Sequence, residues 1–133
     1  MPAQAELFEL AATDKTPGIR FDPAHGLFEI QGCSIPENAD RFYSPIYDLV
    51  ERYLTAPAKQ TTVRVELSYF NSSSAKYLLD ILKRLEDLHA SAASQVVLEW
   101  HHSRGDQDMA EAGQDYRSLL EFPVKLVELR DRT

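Results

Sequence analysis

The sequence is short of the residues that would cross-link or anchor a fold. Among its 133 residues there is one cysteine, Cys33, so no disulfide can close within the chain and no cysteine cluster can hold a structural zinc. A lone thiol suits a reducing compartment, and we expect a cytoplasmic protein. Positive charge is also in deficit: 14 Lys and Arg face 21 Asp and Glu, a formal net charge of −7. Such a surface repels a phosphate backbone, so nucleic acid is not an expected partner. No run approaches the roughly 18 apolar residues of a spanning helix. The start, Met1-Pro2-Ala3-Gln4-Ala5-Glu6, has neither the basic nor the apolar region of a signal peptide, and no membrane insertion is expected. Also missing are a glycine-rich phosphate loop, a dinucleotide fingerprint and a glycine-flanked nucleophile elbow.

What is there is an ordinary folding composition, 44% hydrophobic and 26% charged, at a length suited to one core. Residues 1–15 carry little periodicity and read as a flexible leader, residues 16–129 as one domain, and residues 130–133 as a tail. Ile19-Arg20-Phe21 and Leu27-Phe28-Glu29-Ile30 flank the breaker-rich Asp22-Pro23-Ala24-His25-Gly26 and predict a hairpin. Ser34, three residues before Glu37, offers a capping box, and Pro36 suits a first helical turn. Phe42, Ile46, Leu49, Val50 and Tyr53 then recur at helical spacing, with Pro45 predicting a kink or a start nearer Ser44.

The clearest strand is Thr61–Phe70, with Val63, Val65, Leu67 and Tyr69 on one face. The clearest helix follows Asn71, its apolar stripe formed by Ala75, Leu78, Leu79, Leu82 and Leu85. Gln95–Trp100 predicts another strand, Asp106–Leu120 a third helix and Pro123–Leu129 a last strand. The order ββαβαβαβ implies an α/β domain: a mixed β-sheet of about five strands, parallel where helices cross over, with three helices.

In open α/β sheets functional groups gather at the carboxyl ends of strands. Asn71-Ser72-Ser73-Ser74 lies at such an end. Asn and Ser are wanted there as helix caps, because the first helical N–H groups have no partner within the helix. Three serines exceed what one cap needs, however, and an exposed hydroxyl at a helix start can be reached by a kinase. A phosphate adds roughly −1.5 to −2 charge, tolerable at the positive end of a helix but costly beneath an apolar or acidic partner. Local chemistry therefore leaves room for a phosphorylation switch at a hydroxyl of this run, within a partner surface formed by Asn71, Ser72, Ser73 and Ser74, and does not by itself rank the serines.

Two other readings use His101 and His102. Adjacent histidines on a strand point to opposite faces, so joint metal ligation is disfavoured, and no metal is expected. A small hydrolase would pair a serine with one of them and an acid such as Asp106, but the ingredients come without a motif. We expect no catalysis and no cofactor.

Several segments, in order along the chain, resemble a known family. They are Thr16-Pro17, Pro36-Glu37-Asn38, Asp48-Leu49-Val50-Glu51-Arg52-Tyr53-Leu54, Asn71-Ser72-Ser73-Ser74 before Leu78-Leu79-Asp80-Ile81-Leu82, Leu98-Glu99-Trp100-His101-His102 and Phe122-Pro123. Together they resemble the SiaC-type biofilm-regulating phosphoproteins, which are STAS-like, similar in architecture to anti-sigma-factor antagonists. The resemblance implies partner switching. A dedicated Ser/Thr kinase adds a phosphate, a PP2C-type phosphatase removes it, and the unphosphorylated form binds and stimulates a diguanylate cyclase in cyclic-di-GMP signalling and biofilm regulation. In the family pattern the acceptor directly follows the asparagine and is commonly threonine, which implies Ser72 here, with Ser73 as the alternative acceptor. An alternative within the same architecture is an anti-sigma factor antagonist that captures an anti-sigma kinase.

Overall fold

The structure, a computed structural model, describes residues 6–129. Residues 1–5 of the expected leader and the expected tail 130–133 lie outside the described residues. The element order is β1 (Phe8–Leu10), β2 (Gly18–Asp22), β3 (Leu27–Ser34), α1 (Ala39–Tyr53), β4 (Gln60–Phe70), α2 (Ser72–Ala90), β5 (Gln95–Ser103), α3 (Gln107–Leu119) and β6 (Val124–Leu129). The six strands lie in sequence order across one sheet. β1 and β3 each pair antiparallel with β2, while β3, β4, β5 and β6 run parallel. The sixth strand is β1, three residues within the segment expected to be leader; its partner supplies the hydrogen bonds that its own short sequence could not announce.

Each α crossover advances by one strand in the same direction, and right-handed connections then put all three helices on one face. The strands alternate accordingly. Ile19, Phe21, Phe28, Ile30, Val63, Val65, Leu98 and Trp100 are buried toward the helices, against Tyr43, Ile46, Val50, Leu78, Ile81, Leu82 and Leu85. The other face is polar. Glu9, Arg20, Glu29, Arg64, Glu99 and Lys125 stand in register across all six strands, alternating in sign. Arg64 is shared between Glu29 at 3.6 Å and Glu99 at 3.0 Å.

Three local expectations are corrected. Ser34 does not cap α1: Asn38 does, its Oδ1 accepting from the Arg41 N–H at 3.0 Å, while Ser34 ends β3 in the core. Helix α1 runs through Pro45 instead of starting near it, and Pro45 and Arg41 are both exposed, so the carbonyl deprived of its donor lies on the solvent side. Tyr69 does not continue the buried face of β4. The register of β3 and β4 slips between Gly32 and Cys33, and the alternation beyond Leu67 turns over, leaving Tyr69 exposed and Phe70 packed on Trp100 and Tyr116.

Candidate functional site

Strand β4 passes to helix α2 through one residue, Asn71. Its backbone is extended, its Oδ1 accepts from the Ser74 N–H at 2.9 Å and its carbonyl accepts from the Ala75 N–H at 3.0 Å, so it is the N-cap. The cap's own N–H donates to the Ser34 carbonyl at 3.1 Å, fixing the junction to the end of β3.

The three serines that follow have different surroundings. Ser72 and Ser73 are exposed, whereas Ser74 is fully buried. The Ser34 hydroxyl donates to Ser74 Oγ at 2.8 Å, and Ser74 Oγ donates in turn to the Ser34 carbonyl at 3.0 Å. A hydroxyl has one proton, so the 2.5 Å contact between Ser34 Oγ and the Tyr43 phenol must be donated by Tyr43. A chain of buried hydroxyls therefore ties β3, α1 and the first turn of α2 together. Burial raises the Tyr43 pKa despite the bonds to Ser34 and Ser74, which keeps this donor protonated. Tyr43 also stacks on Tyr77, with ring centroids 5.6 Å apart.

The helical period separates the two exposed hydroxyls. Ser73 shares its stripe with Tyr77 and Arg84, which reach α1: the Tyr77 hydroxyl donates to Asp40 at 2.6 Å and Arg84 pairs with Glu51. The Tyr77 bond, followed by one from Ser44, holds the Asp40 carboxyl below its ordinary pKa, and the same carboxylate raises that of Tyr77. Ser72 lies on the stripe of Ala75, Lys76 and Leu79, which faces α3 instead. No acidic residue occupies the first turn of α2, so a phosphate there would meet helix N–H groups without a neighbouring carboxylate on that turn.

The other candidates do not assemble. His101 Nε2 lies 3.3 Å from Glu99 Oε1 on the open face of the sheet, and His102 Nδ1 lies 3.2 Å from the Ser103 carbonyl. Asp106 caps α3 through the Met109 N–H at 3.1 Å. Among the described residues neither imidazole is hydrogen-bonded to a serine hydroxyl, and no group of three His, Cys, Asp or Glu could hold a metal ion. Sequence reasoning missed Ser34 and Tyr43, whose role depends on contacts across 40 and 9 residues. The one available signal was a serine ahead of Ile35-Pro36, where it was read as a cap.

The model of the SiaC family, described as a family of regulatory phosphoproteins, matches residues 10–129. The chain belongs to the SiaC family. An uncharacterized protein of Pseudomonas aeruginosa strain UCBPP-PA14 is 34% identical to this SiaC-family chain over 117 residues, 88% of this chain and 92% of that protein. Crystal structures agree with the fold. Apo-SiaC from Pseudomonas aeruginosa superposes with a TM-score of 0.85 at 32% identity, covering 92% of this chain and 99% of that one. SiaC from the same organism in complex with the diguanylate cyclase SiaD, of which it is the activator, gives 0.86 at 32% identity over the same shares. The mixed α/β architecture expected from the sequence is thus that of the SiaC family, with six strands where about five were expected.

Proposed function

We propose that this SiaC-family chain is a non-catalytic partner switch: unphosphorylated it binds and stimulates a diguanylate cyclase, and phosphorylation at Ser72 releases it. A dedicated Ser/Thr kinase and a PP2C-type phosphatase set the phosphorylation state, and the exchange takes place in the cytoplasm. The observation that carries this reading is the pairing of an exposed Ser72 with a buried Ser74 in one helical turn, within a family of regulatory phosphoproteins. The scaffold is locked below the surface while the modifiable hydroxyl stays outside it. The likeness to a cyclase activator at 32% identity supports the choice of partner. Among the described residues no helix is long and apolar enough to cross a membrane.

Ser72 is preferred to Ser73 because the Ser73 stripe runs into the Asp40–Tyr77 pair, where a phosphate would approach an ionised carboxylate. The test is capture of the cyclase by wild type, Ser72→Ala and Ser72→Asp, with phosphosite mapping by mass spectrometry in cells lacking the phosphatase. Wild type and Ser72→Ala should capture cyclase, Ser72→Asp should lose affinity by about tenfold or more, a change of about 1.4 kcal/mol, and the phosphate should map to Ser72. Phosphate confined to other residues, or equal capture by all three chains, refutes the switch.

A further inference from the structure

On the open face of the sheet, the charged row runs Glu9, Arg20, Glu29, Arg64, Glu99, Lys125 from β1 to β6. It sums to zero in a chain whose formal net charge is −7, so the negative excess lies elsewhere. The centre of the row is satisfied within one copy, where Arg64 Nη1 lies 3.6 Å from Glu29 and Arg64 Nε donates to Glu99 at 3.0 Å. Its ends are not. Glu9, Arg20 and Lys125 belong to no ion pair among the described residues. Glu9 and Lys125 are exposed and stand on opposite edges of the sheet, about 24 Å apart at about 4.8 Å per strand, so one copy cannot bring them together.

We propose that the open sheet face joins two copies of this chain into a two-fold dimer, with the charged row setting the register. An even number of charges of alternating sign is its own complement when read backwards. A second copy laid face to face, about a two-fold axis that runs along the strands between β3 and β4, sets β1 over β6, β2 over β5 and β3 over β4. Glu9 then faces Lys125, Arg20 faces Glu99 and Glu29 faces Arg64, each pair occurring twice, so the charges left unpaired in one copy find partners in the other. A two-fold axis at right angles to the strands would set every charge over its own copy, like on like. The row thus selects one arrangement. In the flanking rows the carboxylates of Asp22 and Glu66 fall over Val97 and Gln31, and no acid meets an acid. Sheets packed this way lie about 10 Å apart with strand directions within about 30°, a gap that opposed Arg, Lys and Glu side chains span. The helices cover the opposite face, so the pair leaves both copies of Ser72 exposed and the inference stands apart from the functional reading above.

The experiment is sedimentation equilibrium of the full unphosphorylated chain as wild type, Glu9→Lys, Lys125→Glu, an equimolar mixture of these two variants, and the double variant. Wild type should form dimers and nothing larger. Each single reversal sets like charges face to face at two places, and should weaken dimerisation about tenfold or more. The mixture and the double variant each restore opposite charge at both places, and should return to within about threefold of wild type. Their recovery also shows that the singly reversed chains are folded. Wild type that stays monomeric up to millimolar concentration overturns the proposal, as does a dimer that neither reversal weakens. Loss in the single variants without recovery in the mixture excludes this two-fold and overturns it too. Species that grow beyond dimers with concentration place β1 of one copy against β6 of the next, edge to edge, and likewise overturn it. The partner switch is untouched by any of these outcomes, because cyclase capture tests it separately.

Discussion

Replacing the three serines of α2 one at a time by alanine should separate scaffold from surface. In Ser74→Ala the Ser34 hydroxyl loses the acceptor 2.8 Å away and has no water to replace it, since both residues are fully buried. An orphaned buried donor costs about 1 to 3 kcal/mol. For a chain of 133 residues, about 3 to 5 °C of melting temperature accompanies each kcal/mol, so a central loss of about 2 kcal/mol lowers the midpoint by about 6 to 10 °C. Ser72→Ala and Ser73→Ala remove exposed hydroxyls that hold up nothing, and each should stay within about 0.5 kcal/mol of wild type. The double change Ser34→Ala with Ser74→Ala should cost less than the sum of the single changes, because the second deletion removes a group already deprived of its partner. The assay is chemical denaturation followed by far-ultraviolet circular dichroism, supported by thermal melts. Equal stability of all three single variants, or strict additivity in the double, refutes the hydroxyl chain as the lock on α2.

Two further outcomes probe the frame around the site. Gly113→Ala should cost about 1 to 3 kcal/mol by overpacking. A Cβ there would stand 2.5 Å from both Trp100 Cδ1 and Leu126 Cδ2, and Trp100 is the one tryptophan, so its fluorescence reports the displacement. Tyr77→Phe should lower the melting temperature at neutral pH, and the deficit should close at both extremes of pH. Asp40, whose pKa is lowered by Tyr77 first and Ser44 second, contributes stability that is present above its ordinary value of 3.8 and lost as pH falls through the lowered one. Tyr77, whose pKa is raised by Asp40, contributes stability that is present below its ordinary value of 10.0 and lost as pH rises through the raised one. A deficit that does not vary with pH would show that the ring, not the hydrogen bond, carries the effect.

Strand β4 and helix α2 were legible because their periods of two and of 3.6 run long enough to be distinguished, and their junction followed from where they meet. The serine cluster was legible for the same reason. What sequence could not rank was the set of hydroxyls within it, because Ser74 is distinguished from Ser72 and Ser73 by Ser34, a residue 40 positions away. Tyr43 escaped because Phe42, one position earlier, satisfies the same helical spacing; only the placement of α1 against α2 decides which ring is buried. Tyr69 was misplaced by a bulge visible only in the pairing with β3, where Gly32 faces Leu67 and Cys33 faces Tyr69, leaving Ser68 without a counterpart. Phe8–Leu10 is too short for any periodicity to register. In each case the missing information was a long-range contact rather than a local preference.

The one-residue passage from β4 to α2 has a consequence for timing. With Asn71 alone between a central strand and a helix whose first turn is tied into the core, there is no slack to take up and no segment to rearrange. A chemical mark placed on Ser72 changes the potential at the surface as soon as the bond is made. In the proposed switch, the speed of response would then be set by the proposed kinase and phosphatase and by departure of the bound partner, with no rearrangement of the junction required.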